Sequence, residues 1–322
     1  MKDLRVGISG WTYPPWRGVF FPEKWPHKRE LEYASRQVNS IEINGTFYSL
    51  QRPASFRAWY EATPEEFVFS IKAPRFITHI KRLKNVEAPL ANFFASGLLY
   101  LQEKLGPILW QLPPSFRFDP ERVEAFFQLL PPDTAAAAEL ARKHDEKLKE
   151  AAIPRMKARP LQHAMEVRHE SFKCVEFIAL LRKYRVGLVV ADTAGKWPFM
   201  EDVTSDFVYV RLHGDEELYV SGYTEKALRE WTRKVSVWAK GKTPARVKTL
   251  ARSAPARKRG REVYVYFDND VKVRAPFDAM SLAHRLHLGP KPRRLGKLTK
   301  PKETARRSWP PVKRRWTPEP AL

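Results

Sequence analysis

The sequence predicts an α/β protein of the (β/α)8 TIM-barrel class, with a charged helical insertion and a basic C-terminal tail expected to be disordered. Three observations point to it. Eight apolar, β-branched runs alternate mostly with helical stretches, the pattern of parallel strands covered by helices. No GxGxxG follows the first run, where Gly10–Trp11–Thr12–Tyr13 stands, and this disfavours an open doubly wound sheet. Polar and charged residues gather at the C-terminal ends of the runs, which in a barrel form one ring.

The elements follow in order. Leu4–Ser9 reads as the first strand, and the aromatic, proline-containing loop Trp11–Pro22 follows it. Lys28–Gln37 has helical character, and Ser40–Asn44 is the second strand. A helix around Ala54–Glu61 leads to the third strand, Phe67–Ala73. A long connection then carries Thr78, His79 and a helix around Pro89–Leu105. Ile108–Leu112 is the fourth strand, stopped by Pro113–Pro114, which cannot continue a ladder. Asp119 is a good N-cap, with Pro120 at the first helical position, for a helix to Leu130. Ala135–Ala152 reads as a highly charged helix inside an insertion over 133–160. Gln162–Val167 and Val186–Asp192 are the fifth and sixth strands, with the helix Phe172–Tyr184 between them. Phe207–His213, the helix Glu225–Lys240, the strand Val263–Asp268 and the helix Asp278–Leu288 complete the body. The barrel is expected over 1–288.

Alternation along a strand places Tyr209, Arg211 and His213 on one face and Val208, Val210 and Leu212 on the other. A guanidinium and an imidazole leaving a buried strand together mark a site, because buried charge is costly unless paired or used. Ser9, Glu42, Asn44, Lys72, Gln111, Glu166, Arg168, Asp192 and Asp268 stand at the other strand ends, and parity can turn each inward. A structural role is the competing account. Glu42 with Lys72, and Glu166 with Arg168 or Arg211, are candidate ion pairs closing the barrel. His79 and His169 lie on loops. Cys174, the only cysteine, excludes an internal disulfide and a Cys-rich zinc site, and reads as core.

The net charge of +22 is unevenly placed. Residues 240–262 carry +8 and residues 289–322 carry +9, leaving a nearly ordinary globular body. Such segments suit a nucleic acid or another polyanion, held by counterion release, and Trp309 and Trp316 in the tail suit base stacking. The N-terminus lacks the apolar core of a signal peptide and no long apolar span appears, so no membrane is expected and a cytoplasmic location is.

Several motifs together are familiar. GISGWTYPPWRGVFFP (Gly7–Pro22), IEINGTFY (Ile41–Tyr48), FSIKAPRFITHIKRL (Phe69–Leu83), GPILWQLPPSF (Gly106–Phe116), EVRHESF (Glu166–Phe172), VVADT (Val189–Thr193), YVRLHGDEELYVSGY (Tyr209–Tyr223) and VYVYFDND (Val263–Asp270) occur in this order. The chain resembles the YecE-like family of TIM-barrel proteins, a domain of unknown function, over roughly Val6–Leu288. The resemblance implies the barrel and leaves the chemistry unassigned. The family usually has Asn where Asp268 stands, and the two basic stretches are additions that the shared fold does not require.

The mouth is expected to act on a small anionic or phosphorylated substrate, a nucleic-acid-derived one included. Lys72, Arg168 and Arg211 would hold the anion. Glu42, Glu166 and Asp192 would supply acid/base chemistry, with His213 as proton carrier. Asn44, His79, Gln111 and Asp268 complete the polar wall, while Trp11 and Tyr13, with Trp16, Phe47 and Tyr48, suit a flat ring or sugar. A hydrolase using a divalent metal on Glu42, Glu166, Asp192 and His213 is one alternative, opposed by the nearby arginines and by the lack of HExxH or paired-His spacing. A barrel that senses a ligand without turnover is another.

Overall fold

The structure, a computed structural model, describes residues 4–219, 221–269 and 273–289. Eight parallel strands close in sequence order: β1 (Leu4–Ser9), β2 (Ser40–Ile43), β3 (Val68–Lys72), β4 (Leu105–Gln111), β5 (His163–Glu166), β6 (Gly187–Asp192), β7 (Phe207–Leu212) and β8 (Glu262–Phe267). β8 returns to β1 through pairs such as Val6 with Val265, so the barrel has no open edge. The expected (β/α)8 barrel is the observed one.

The outer layer contains α1 (Glu30–Ala34), α2 (Gly45–Tyr48), α3 (Pro53–Ala62), α4 (Glu87–Ala95), α5 (Pro120–Leu129), α6 (Thr134–Ala141), α7 (Val175–Lys183), α8 (Glu225–Ala239) and α9 (Ala275–Arg285). Side-chain caps start several of them. Asp119 accepts the Arg122 N–H (3.1 Å) ahead of α5, and Thr224 accepts the Ala227 N–H (3.2 Å) ahead of α8.

Two cores result. Outward-facing strand residues such as Ile8, Ile41, Trp110 and Val210 pack under the helices. Inside the barrel, Val68, Leu109, Ala164, Val189, Tyr209, Tyr264 and Tyr266 fill the lower layers. Gly7 makes one close approach possible: a Cβ there would lie 1.8 Å from the Ser40 carbonyl oxygen.

Three expectations shift. The helix expected over Ala135–Ala152 stops at Ala141. Asp145 is captured by Asn92 of α4, whose Nδ2 donates to it at 2.7 Å, and it accepts the Lys147 N–H at 3.1 Å. Such a turn competes with the helix. β4 begins at Leu105 rather than Ile108. Gly106 lets it approach β3 so closely that a Cβ would fall 2.6 Å from Val68 Cγ1. The helix expected around Pro89–Leu105 also ends early: α4 closes at Ala95, ahead of Gly97 at φ +102, and a 3-10 stretch over Leu98–Lys104 follows.

No helix follows β6, and residues 193–206 are irregular. The stretch 240–262 leans on this connection. Buried Glu201 accepts the Lys248 N–H (2.9 Å), and buried Asp202 accepts those of Leu250 (2.9 Å) and Ala251 (3.0 Å). The tail expected over 289–322 lies, beyond Gly289, outside the described residues. Among the described residues, no helix is long and apolar enough to cross a membrane.

Candidate functional site

β7 turns Tyr209, Arg211 and His213 inward, as alternation predicts. Arg211 is fully buried and becomes a hub. It donates from Nη2 and Nε to Glu42 (2.8 and 3.1 Å), from Nη1 to Glu166 (2.7 Å) and from Nη2 to Asp268 (2.8 Å). The carboxylates are then completed by others. Ser9 and Tyr209 donate to Glu42 at 3.0 and 2.6 Å. Gln111 and Arg168 donate to Oε1 of Glu166 at 2.9 and 2.7 Å. A buried ion cluster tolerates desolvation only when its remaining lone pairs are satisfied in this way.

The charges support one another. Burial by itself would raise Glu166, but Arg168 and Arg211 hold its carboxyl well below the usual range. Asp268 is likewise lowered against its burial, chiefly by Arg211. Burial opposes the charge on Arg211, yet Glu42, Glu166 and Asp268 drive its pKa well above the usual value. A guanidinium only donates, so the 3.3 Å contact from Arg211 Nη1 makes His213 Nε2 an acceptor. Neutral His213 then carries its proton on Nδ1. That atom lies 3.1 Å from Asp268 but off the hydrogen-bonding direction, so the contact is mainly electrostatic. Burial and Arg211 lower the His213 pKa, in keeping with a neutral ring.

Above this hub opens a cleft of about 1060 Å³. Trp11, Tyr13, Phe47, Tyr48 and Trp59 form aromatic walls, and Asn44, Lys72, Arg75, His79, Gln111, Arg168, Tyr219 and Asp268 supply polar groups. Lys72 is buried, and its ammonium rests 4.2 Å from the Phe47 ring centroid. Among the described residues it has neither an ion pair nor a hydrogen bond. Burial, then the charge of Arg211, pushes its pKa down to about 8. Arg168 stacks 3.8 Å over Trp197 and reaches the Tyr219 hydroxyl at 3.4 Å. Its Nε is spent on Glu166, while Nη1 has no partner among the described residues. His79, bonded to Thr78 at 2.9 Å, is lowered to about 4 by burial and by Lys72 and Arg168.

The predicted residues therefore separate. Trp11, Tyr13, Asn44, Lys72, His79, Gln111, Arg168 and Asp268 do line the cleft. Glu42, Glu166, Arg211 and His213 lie beneath it with no exposed surface. Glu166 pairs with Arg168 and Arg211 as anticipated, but Glu42 turns to Arg211 rather than Lys72. Asp192 corrects the sequence reading. It pairs in register with Leu212, on the outward face, and accepts from the Tyr223 hydroxyl at 3.1 Å. It lines a separate cavity of about 280 Å³ with Asp215, Glu230 and Lys234, and burial raises it to about 6. His169 only caps a short turn through Ser171. Tyr219, Arg75 and Trp197 are cleft or supporting residues that alternation cannot reveal, because all three sit on connections.

The carboxylate oxygens of the hub accept from Arg211. Among the described residues, no group of three or more His, Cys, Asp or Glu could hold a metal ion.

Fold and site together define a TIM-barrel protein with its polar groups gathered at the C-terminal mouth. The family described as "Protein of unknown function DUF72" matches residues 5–304, and the chain belongs to that family. It is similar to "UPF0759 protein YecE" of Escherichia coli (strain K12), with 28% identity over 127 residues, 39% of this chain and 43% of that protein. It is also similar to "UPF0759 protein YunF" of Bacillus subtilis (strain 168), with 28% identity over 125 residues, 37% of this chain and 43% of that one. The matched stretch thus spans less than half the length of these curated relatives. A DUF72 family protein of Thermotoga maritima shares the fold at a TM-score of 0.65 and 24% identity, over 88% of this chain and 99% of the other. One from Enterococcus faecalis does so at 0.63 and 17%, over 91% and 100%.

Proposed function

We propose that the mouth binds a small anionic or phosphorylated substrate between Lys72 and Arg168, and that Lys72 moves a proton during its conversion. The observation that carries this reading is Lys72 itself: a buried ammonium, without a carboxylate partner among the described residues, facing the cleft. An ammonium that no carboxylate touches directly, at the wall of an open cleft, is placed to take an anion through a charge-assisted hydrogen bond. Arg168 offers Nη1 beside it, and Asn44 and Gln111 add hydrogen bonds. The aromatic walls suit the flat or sugar portion of such a substrate.

Acid/base work accordingly moves from the buried carboxylates to Lys72. With a pKa of about 8, it is mainly an ammonium at neutral pH and donates to a substrate oxygen. Glu42, Glu166 and Arg211 act as positioning residues, holding Arg168 and the floor. His79, neutral at neutral pH, orients rather than carries charge.

The test uses amine-selective labelling of Lys72 with peptide mapping, with and without inorganic phosphate. Protection at millimolar phosphate supports the site, and unchanged labelling with phosphate and with small carboxylates overturns it. Incubation with a mixture of phosphorylated metabolites then separates catalysis from sensing. A species consumed by the protein but not by Lys72→Met identifies an enzyme; a species bound and returned unchanged identifies a sensor.

A further inference from the structure

We propose that the basic loop over 240–261 is a built docking surface for the phosphate backbone of a nucleic-acid duplex, on the outer wall of the barrel and outside the cleft. The loop holds nine Lys or Arg and no Asp or Glu. It runs from the C-terminus of α8 to the start of β8, so its ends lie at the N-terminal end of the strands, while its middle climbs the outer wall, where Lys248 lines the cavity that holds Asp192.

The loop is held in shape. Its ends cross through Arg257 N–H to the Gly241 carbonyl (2.9 Å) and Arg261 N–H to the Ala239 carbonyl (3.2 Å). The crossing is tight enough that a Cβ on Gly241 would fall 2.0 Å from the Arg257 oxygen. Gly241 also has φ +77, a region few other residues adopt freely. Its middle is clamped by Glu201 and Asp202, and Arg182 of α7 donates to the Arg252 carbonyl at 2.9 Å.

One of the nine cations turns inward to fasten this shape. Arg261 is buried and donates to the carbonyls of Pro255 (2.7 Å) and Lys242 (3.3 Å). The other eight are exposed. Lys248 leans over Phe199, and among the described residues only Arg257 approaches a carboxylate, Asp206 at 3.7 Å. A mobile basic segment relieves its self-repulsion by spreading, but a fixed loop cannot, so a dense row of anions is its natural complement. Duplex phosphates, about one charge per 1.7 Å of axis, form such a row.

The composition narrows the partner. Residues 240–261 contain no aromatic side chain on which single-stranded bases would stack. None of the exposed large apolar residues lies on the loop, so nothing there would enter a lipid surface. Arg and Lys without stacking or base-reading partners imply duplex binding that ignores sequence.

The experiment measures full-length chain on a random-sequence DNA duplex by fluorescence anisotropy across a salt series. The combined variant Arg252→Ser, Arg257→Ser, Lys258→Ser and Arg259→Ser should bind about tenfold or more weakly at moderate salt. The slope of log affinity against log salt should become shallower by roughly 2–4. Phosphate protection of Lys72 should not change. Unaltered affinity and slope would overturn the proposal, as would tighter binding to phosphatidylserine vesicles than to duplex. If the combined variant folds poorly, Lys258→Glu alone decides: a severalfold loss supports the surface, and no change overturns it.

Discussion

Arg211 and Glu42 meet side-on, Nη2 to Oε1 at 2.8 Å and Nε to Oε2 at 3.1 Å, and neither side chain reaches water. The same guanidinium also neutralises Glu166 and Asp268. Arg211→Met therefore leaves three carboxylates facing one another, and should cost about 3–5 kcal/mol of stability. Arg211→Lys keeps the charge but loses the planar fork, and should fall between. Urea denaturation of the two variants and the parent checks the order; equal stability of all three would contradict the hub.

Lys72 should show the opposite sign. Replacing a lone buried ammonium by methionine removes a desolvation cost, so Lys72→Met should be at least as stable as the parent, by up to about 1–2 kcal/mol, while losing anion binding about tenfold or more. Its pKa of about 8 in the fold lies below the ordinary lysine value of 10.5. The unfolded chain thus binds more protons between those values, and this group makes the fold more stable as pH rises across that window. Labelling rates at Lys72 should turn over near pH 8, against about 10.4 for ordinary lysines.

Asp278 gives a second pH signature. Burial raises it from 3.8 to about 6, although it accepts the Tyr223 N–H (3.0 Å) and the Asn269 amide (2.9 Å). Because the folded value is the higher one, its contribution is complete below about pH 4 and is lost as pH rises through about 6, at most about 3 kcal/mol. Asp278→Asn keeps an acceptor oxygen for both donors. The variant should match the parent in thermal denaturation near pH 4 and exceed it at pH 8.

Trp197 stacks on Arg168, ring centroid to guanidinium at 3.8 Å. Trp197→Ala should weaken inorganic phosphate binding severalfold, consistent with about 0.5–2 kcal/mol for a cation–π contact, and change the melting temperature little. Titration calorimetry at constant salt would reveal unchanged affinity if the stacking has no bearing on the cleft.

Much of the barrel was legible because its strands are separated by turns and caps. Alternation also worked on β7, where Tyr, Arg and His interrupt valines. It failed on β6, whose Val189, Val190 and Ala191 are apolar on both faces, so nothing in the run says that Asp192 points outward. Glu42 was matched with Lys72 because their strands are neighbours. The true partner comes from β7, across the barrel, and sequence separation carries no measure of that distance. Tyr219 enters the cleft from a loop residue at φ 64, a conformation its side chain does not announce.

The irregular connection after β6 bears on how the molecule opens. Elsewhere amphipathic helices cover the wall, but here backbone amides rest on the two acids Glu201 and Asp202. Such a patch has its own local free energy, lower than that of the strand ladder behind it. The amides of Lys248, Leu250 and Ala251 should exchange with solvent deuterium as one unit, later than unbonded loop amides and before those of β7. The basic loop thus owes its fixed shape to two acids rather than to a covering helix, and a change at either acid would free the loop without reopening the barrel.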